Sequence, residues 1–207
     1  MRIVNNKIYI ARGETPTYSA SVIDKDTGAP FIVDKSIAMN KDGSFRRVLI
    51  EFVVRDSAYD RADNKRIRKH LVLGRDVSYH LFDDIKIVSY NELGYEPEFV
   101  DGQYIWDNDI KPKSGDENRL HRYENSDDTV YLYYDGEKWV EYSFDFNVTL
   151  SYNETSVMEP KTYQYEITLF TGNQKDYVNP GEIPITIEYK KPLLGLTEFI
   201  VEGSISE

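Results

Sequence analysis

Across residues 141–151 the chain switches between polar and apolar side chains at every step. Tyr142, Phe144, Phe146, Val148 and Leu150 fall on one side of an extended backbone, and Glu141, Ser143, Asp145, Asn147, Thr149 and Ser151 on the other. Because a strand repeats every two residues, this register predicts a strand with one face on a core and the other toward water. The same period returns in Tyr163, Tyr165, Ile167 and Leu169, and in Ile183, Ile185, Ile187 and Tyr189. It is equally clear in Val48, Ile50, Phe52 and Val54, which predicts a strand over residues 47–55.

Further strands are predicted over residues 7–11, 17–23, 85–90 and 196–205, separated by turn chemistry such as Asp24 to Gly28 and Asn40 to Gly43. Asp101-Gly102 and Asp135-Gly136 each sit between strand-like runs. Both suit a two-residue type I′ hairpin turn, and the second has the stronger flanking pattern. Roughly nine or ten strands at this spacing predict an all-β protein: an antiparallel, immunoglobulin-like β-sandwich. The length of 207 residues fits a single domain over 1–207, with the turn-rich, polar stretch 91–128 as a candidate insertion within it. Between residues 56 and 75 the alternation stops and charge rises, which predicts a loop or a short helix.

Composition narrows the function. The 17 tyrosines and 9 phenylalanines suit strands and amphipathic contact surfaces. A formal charge of -11 sets up a repulsive field toward phosphate backbones and anionic lipid, so neither nucleic acid nor a membrane is an expected partner. No run approaches the ~20 apolar residues of a membrane-spanning helix. Residues 1–11 interleave Arg2, Asn5, Asn6 and Lys7 with apolar residues, unlike the apolar core of an export signal, so synthesis and folding in the cytosol are expected. The absence of cysteine removes disulfides, thiolate nucleophiles and thiolate metal sites together.

The residues that carry chemistry elsewhere form no pattern here. His70, His80 and His121 have no ligand-pair spacing, and there is no Gly-x-Ser-x-Gly elbow. Acidic pairs such as Asp83-Asp84, Asp107 with Asp109, and Asp127-Asp128 are what chance supplies among 36 acidic residues, although a glycosidase also needs two acids. Asp24-x-Asp26-x-Gly28 departs from a calcium loop in its glycine position and lacks the bidentate glutamate, so a β-turn is expected. No catalytic residue, cofactor site or metal site is therefore expected. Two candidate interaction surfaces remain. One is the basic run with Arg61, Lys65, Arg66, Arg68 and Lys69, suited to an acidic neighbour. The other is the aromatic set Tyr104, Trp106 and Trp139, suited to a protein interface or to stacking on a sugar.

Lys7-Ile-Tyr-Ile-Ala-Arg-Gly-Glu-Thr15, with the strand that follows and the acidic turn Asp24-Lys-Asp-Thr-Gly28, resembles the opening of tailed-phage virion proteins from Gram-positive hosts. Glu14 stands where those proteins usually carry Asp. Tyr163-Gln-Tyr-Glu-Ile-Thr-Leu169, Ile185-Thr-Ile187 and Glu198-Phe-Ile-Val201 are similar to the closing strands of the N-terminal domain of upper baseplate and fibre-attachment proteins, and Trp139-Val-Glu-Tyr-Ser-Phe144 fits the middle less distinctly. The resemblance covers about a third of the chain. It implies a non-enzymatic structural protein of the virion, a homo-oligomer among other virion proteins at a tail, baseplate or receptor-binding fibre attachment point. The alternative expectation is a carbohydrate-binding module that contacts host-surface glycans.

Overall fold

A computed structural model describes residues 1–56, 65–72, 80–93, 96–179 and 182–203. Among the described residues sixteen strands run in chain order. The first eight are β1 (Arg2–Val4), β2 (Lys7–Ala11), β3 (Thr17–Ser21), β4 (Val33–Asp34), β5 (Arg47–Arg55), β6 (Lys65–Val72), β7 (Leu81–Phe82) and β8 (Ile87–Ser89). They are followed by β9 (Glu98–Val100), β10 (Gln103–Ile105), β11 (Leu120–Glu124), β12 (Thr129–Tyr134), β13 (Trp139–Glu141), β14 (Asp145–Thr149), β15 (Thr162–Gln174) and β16 (Ile185–Glu202). The described residues also form two single-turn α-helices, α1 (Lys35–Ala38) and α2 (Tyr152–Thr155), and a 3-10 turn over Tyr90–Leu93. The all-β class read from the side-chain period is thus the class observed. The ladders are mixed rather than purely antiparallel, because β2 with β16, β8 with β11 and β4 with β7 pair in parallel.

The chain divides into two compact units. Unit 1 comprises Met1–Ala20, Phe45–Val77 and Asp145–Glu207; unit 2 comprises Ser21–Ser44 and Ser78–Phe144. Residues 91–128, expected as an inserted segment, belong to unit 2 together with the stretches on either side.

Unit 1 is built on a six-stranded sheet in the order β1-β2-β16-β15-β5-β6, with the pair β3-β14 against one face. The contact is aromatic. The Tyr18 ring on β3 lies 6.3 Å from Phe52 on β5, 5.9 Å from Phe146 on β14 and 6.3 Å from Tyr165 on β15. These rings come from the predicted period-two faces, and Ile50, Phe52, Val54, Tyr165 and Leu169 are fully buried. On the opposite face Leu49, Phe170 and Ile185 form a second small core. Gly172 sits at a register shift between β15 and β16, where an added Cβ would lie 1.8 Å from the carbonyl oxygen of Thr186, so only glycine permits that approach.

The segment 56–75 departs from expectation. Its described part, residues 65–72, is neither loop nor helix but β6, which pairs with β5 from Leu49↔Val72 to Arg55↔Lys65. A charged strand at a sheet edge does not show the alternation of a half-buried one, because its polar side chains reach solvent or ion partners from both faces.

Unit 2 is built on a four-stranded sheet in the order β13-β12-β11-β8. One face carries His121, Leu132, Tyr123 and Trp139 with Tyr90; Phe82, Tyr133 and Tyr142 pack together, Phe82 lying 4.9 Å from Tyr142 and 5.9 Å from Tyr133. The two Asp-Gly turns differ from the order expected. Asp101 and Gly102 both take positive φ, 51° and 81°, and join β9 to β10 in the two-residue turn. At the second site only Gly136 is positive, and residues 135–138 form a wider turn in which the Asp135 carboxylate accepts from the N–H groups of Glu137 and Lys138.

Candidate interaction surfaces

The aromatic trio does come together. Trp139 opens β13 and lies edge-on to Tyr90 at 4.8 Å, while Trp106, just after β10, lies 5.4 Å from the same ring. Tyr104 on β10 stacks obliquely on Trp106 at 5.6 Å and accepts a 2.8 Å hydrogen bond from the side chain of Asn125. Their exposures separate them. Trp139 is 4% exposed and its Nε1–H donates to the carbonyl of Ile110 at 2.6 Å, so it is a core residue and cannot stack on a sugar. Tyr104 and Trp106 are half-buried.

Outside them lies the ribbon β9-β10. Its two strands pair only with each other among the described residues, and Phe99, Val100 and Ile105 are large apolar side chains left 62%, 48% and 50% exposed. The register puts Val100 beside Gln103 and Glu98 beside Ile105 on one face, with Phe99 beside Tyr104 on the other. Tyr104 ties that second face to Tyr123 and Trp106.

The basic run is arranged differently from the expectation of an open cationic patch. Arg66 Nε meets Asp56 at 2.6 Å, and Lys161 meets the same carboxylate at 2.9 Å. Hydrogen bonding from Lys161, joined by that of Arg66, holds the Asp56 carboxyl below its ordinary value against the opposing effect of burial. Arg68 pairs with the buried Glu51, and Lys69 reaches Glu154 on α2 at 2.6 Å. Lys65 contributes its backbone to β6, and Arg61 lies outside the described residues. Three of the named cations therefore already face carboxylates of unit 1, which leaves them little charge to offer a neighbour.

Charge is distributed unevenly between the units. Of the chain's 25 Lys and Arg residues 9 fall in unit 2, and of its 36 Asp and Glu residues 20 do. Unit 2 thus carries the whole formal charge of -11, and unit 1 is neutral. This asymmetry was present in the sequence but became visible only once the fold had sorted the residues.

His121 on β11 is 2% exposed. Its Nε2 lies 3.2 Å from the carbonyl oxygen of Asp116, an acceptor only, so Nε2 carries the proton and Nδ1 is the lone-pair nitrogen. Burial pushes the imidazole below its ordinary 6.5 despite the opposing carbonyl and carboxylate of Asp116. A base whose folded pKa is depressed contributes stability fully above its unfolded value, and that contribution is lost as pH falls through the folded pKa. An NMR titration is expected to place the His121 midpoint below 6.5, with stability declining on the acid side of that value. A midpoint at or above it would contradict the buried neutral ring.

No protein-family model matches the chain, nor does any curated protein or solved structure.

Proposed function

We propose that this protein is a non-enzymatic structural component of a tailed-phage virion, made in the host cytoplasm, that joins other virion subunits and copies of itself at a tail, baseplate or fibre attachment point. The observation that carries the reading is the β9-β10 ribbon, where Phe99, Val100 and Ile105 face solvent on a two-stranded element with open edges. Two-stranded ribbons are marginal by themselves, and exposed apolar groups on one are the material of a subunit contact. The acidic residues of unit 2 would select the neighbour and set the register of contact. The sequence resemblance supplies the setting. The glycan-binding alternative keeps Tyr104 and Trp106, both half-buried, but has lost Trp139 to the core, so it is the weaker reading.

Mass spectrometry and antibody labelling of purified particles test the proposal. The chain is expected in particles in a fixed ratio to other virion proteins. The double variant Val100→Asp, Ile105→Asp is expected to fold, since both side chains are already half in water, and to drop out of particles. Absence of the wild-type chain from particles would overturn the proposal, as would undiminished incorporation of the variant.

A further inference from the structure

The four-stranded sheet of unit 2 ends at β8, whose outer edge has no strand neighbour among the described residues. A depression lies on each side of that edge. One, of about 220 Å³, is lined by Lys86, Val88, Lys113, Asp116 and His121, with Ile87 and Ser89 bordering it as well. The other, of about 230 Å³, is lined by Ile87, Ser89, Arg122, Tyr131 and Thr27. Ile87 and Ser89 border both depressions, and register puts Val88 and His121 on one face of the sheet and Arg122 and Tyr131 on the other. Val88 pairs with His121, whereas Ile87 and Ser89 pair with Leu120 and Arg122, and Arg122 in turn pairs with Tyr131. Successive residues of a strand point to opposite faces, so a strand laid along β8 would send alternate side chains into the two depressions.

Their chemistry differs. At the first, Lys86 and Lys113 meet no carboxylate among the described residues, and Asp116 is already paired with Arg119 at 3.1 Å. Two unmatched ammonium groups within a unit of net charge -11 form a local site for an acidic side chain. At the second, Arg122 is committed to Glu124 at 2.6 Å, and the remaining wall of Ile87 and Tyr131 suits an apolar side chain. Both edges of the six-stranded sheet of unit 1 are charged. The β6 edge carries Arg66, Arg68 and Lys69, and β1 at the opposite end of its sheet bears Arg2. The β8 segment Ile87-Val88-Ser89 has no charge of its own.

We infer that β8 is a strand-addition site for an extended segment of a partner protein in which acidic and apolar residues alternate. Backbone hydrogen bonds to the open edge supply attachment, and the two depressions read alternate side chains. The inference deepens the recognition role proposed above but locates it on an edge distinct from the ribbon.

The probe is an acetylated, amidated peptide Thr-Glu-Val-Glu-Val-Thr, titrated into the full chain and followed by amide NMR. Shifts are expected to centre on residues 86–89 and 113–122. The same peptide with alternate backbone amides N-methylated cannot complete a ladder and is expected not to bind. Exchanging its glutamates for lysines is expected to abolish binding as well. Lys86→Gln and Lys113→Gln, both at exposed positions, are expected to weaken the parent peptide by roughly twofold to fivefold each. Binding by the N-methylated or lysine peptide equal to the parent's, shifts centred elsewhere, or no binding at millimolar peptide would overturn the inference. Peptide binding by a chain that is absent from particles would sink the virion reading alone.

Discussion

Replacing Phe52 with alanine is expected to destabilise unit 1 by about 3 to 5 kcal/mol. Phe52 is fully buried on β5, which is hydrogen-bonded to β15 on one side and β6 on the other. Its ring lies 5.6 Å from Tyr165 and 6.3 Å from Tyr18, so truncation empties the centre of the contact between the large sheet and the β3-β14 pair. A backbone held by ladders on both sides cannot close the gap, so the cavity penalty adds to the lost transfer energy. Urea unfolding followed by far-ultraviolet circular dichroism measures the effect. Phe52→Leu, which keeps most of the volume, is expected to cost under about 1.5 kcal/mol. A loss below about 1 kcal/mol for the alanine variant would mean that the layers do not meet at this ring.

Trp139→Ala is expected to have a comparable effect on unit 2, again about 3 to 5 kcal/mol. The indole is 4% exposed, touches Tyr90, Tyr134 and His121, and donates to the carbonyl of Ile110. The variant Trp139→Phe divides the cost, since a phenyl ring restores most of the burial while the hydrogen bond, about 1 kcal/mol, stays lost. The readout is well placed, because the chain has two tryptophans and both lie in this cluster. Fluorescence therefore follows unit 2. An alanine variant with the wild-type unfolding midpoint would restore the reading of Trp139 as a surface ring.

How far the sequence could be read depended on how local the deciding interaction was. The run 47–55 became β5 with the predicted boundaries, because alternating Val, Ile and Phe state both the element and its buried face. The stronger alternation over 141–151 kept every predicted burial, with Tyr142, Phe144, Phe146, Val148 and Leu150 all inside, yet it is not one strand. β13 ends at Glu141, β14 begins at Asp145, and the chain passes from unit 2 to unit 1 between Phe144 and Asp145. Period two records which side chains are buried, not which core receives them. β6 is not legible in the alternation because its charges Arg66, Arg68 and Lys69 are matched by Asp56, Glu51 and Glu154, which lie 10, 17 and 85 positions from their partners and are brought to them by the fold.

The candidate surfaces divide in the same way. Tyr104, Trp106 and Trp139 do cluster, but nothing local tells a tryptophan that roofs a core from one that faces water. Phe99, Val100 and Ile105 passed as ordinary hairpin residues, since their exposure results from the ribbon's lack of a third strand. The edge at β8 was invisible for a related reason: Ile87-Val88-Ser89 reads as any short strand, and only its parallel register beside β11 makes it terminal.

By itself the sequence determined the all-β class, most strand positions, the buried faces of β5, β15 and the run 142–150, and the absence of thiol chemistry, because each follows from side-chain type and a period of two residues. The face of Ile183, Ile185, Ile187 and Tyr189 is not kept, since Ile185 is buried but Ile187 is 46% exposed. The tertiary structure alone decided that the strands form two units, that one unit holds all of the net charge, that Arg66, Arg68 and Lys69 of the basic run face carboxylates of their own unit, and which strand ends its sheet. Those outcomes depend on which distant segments become neighbours, and the free energy that selects neighbours is summed over the whole chain rather than carried by any one stretch of it.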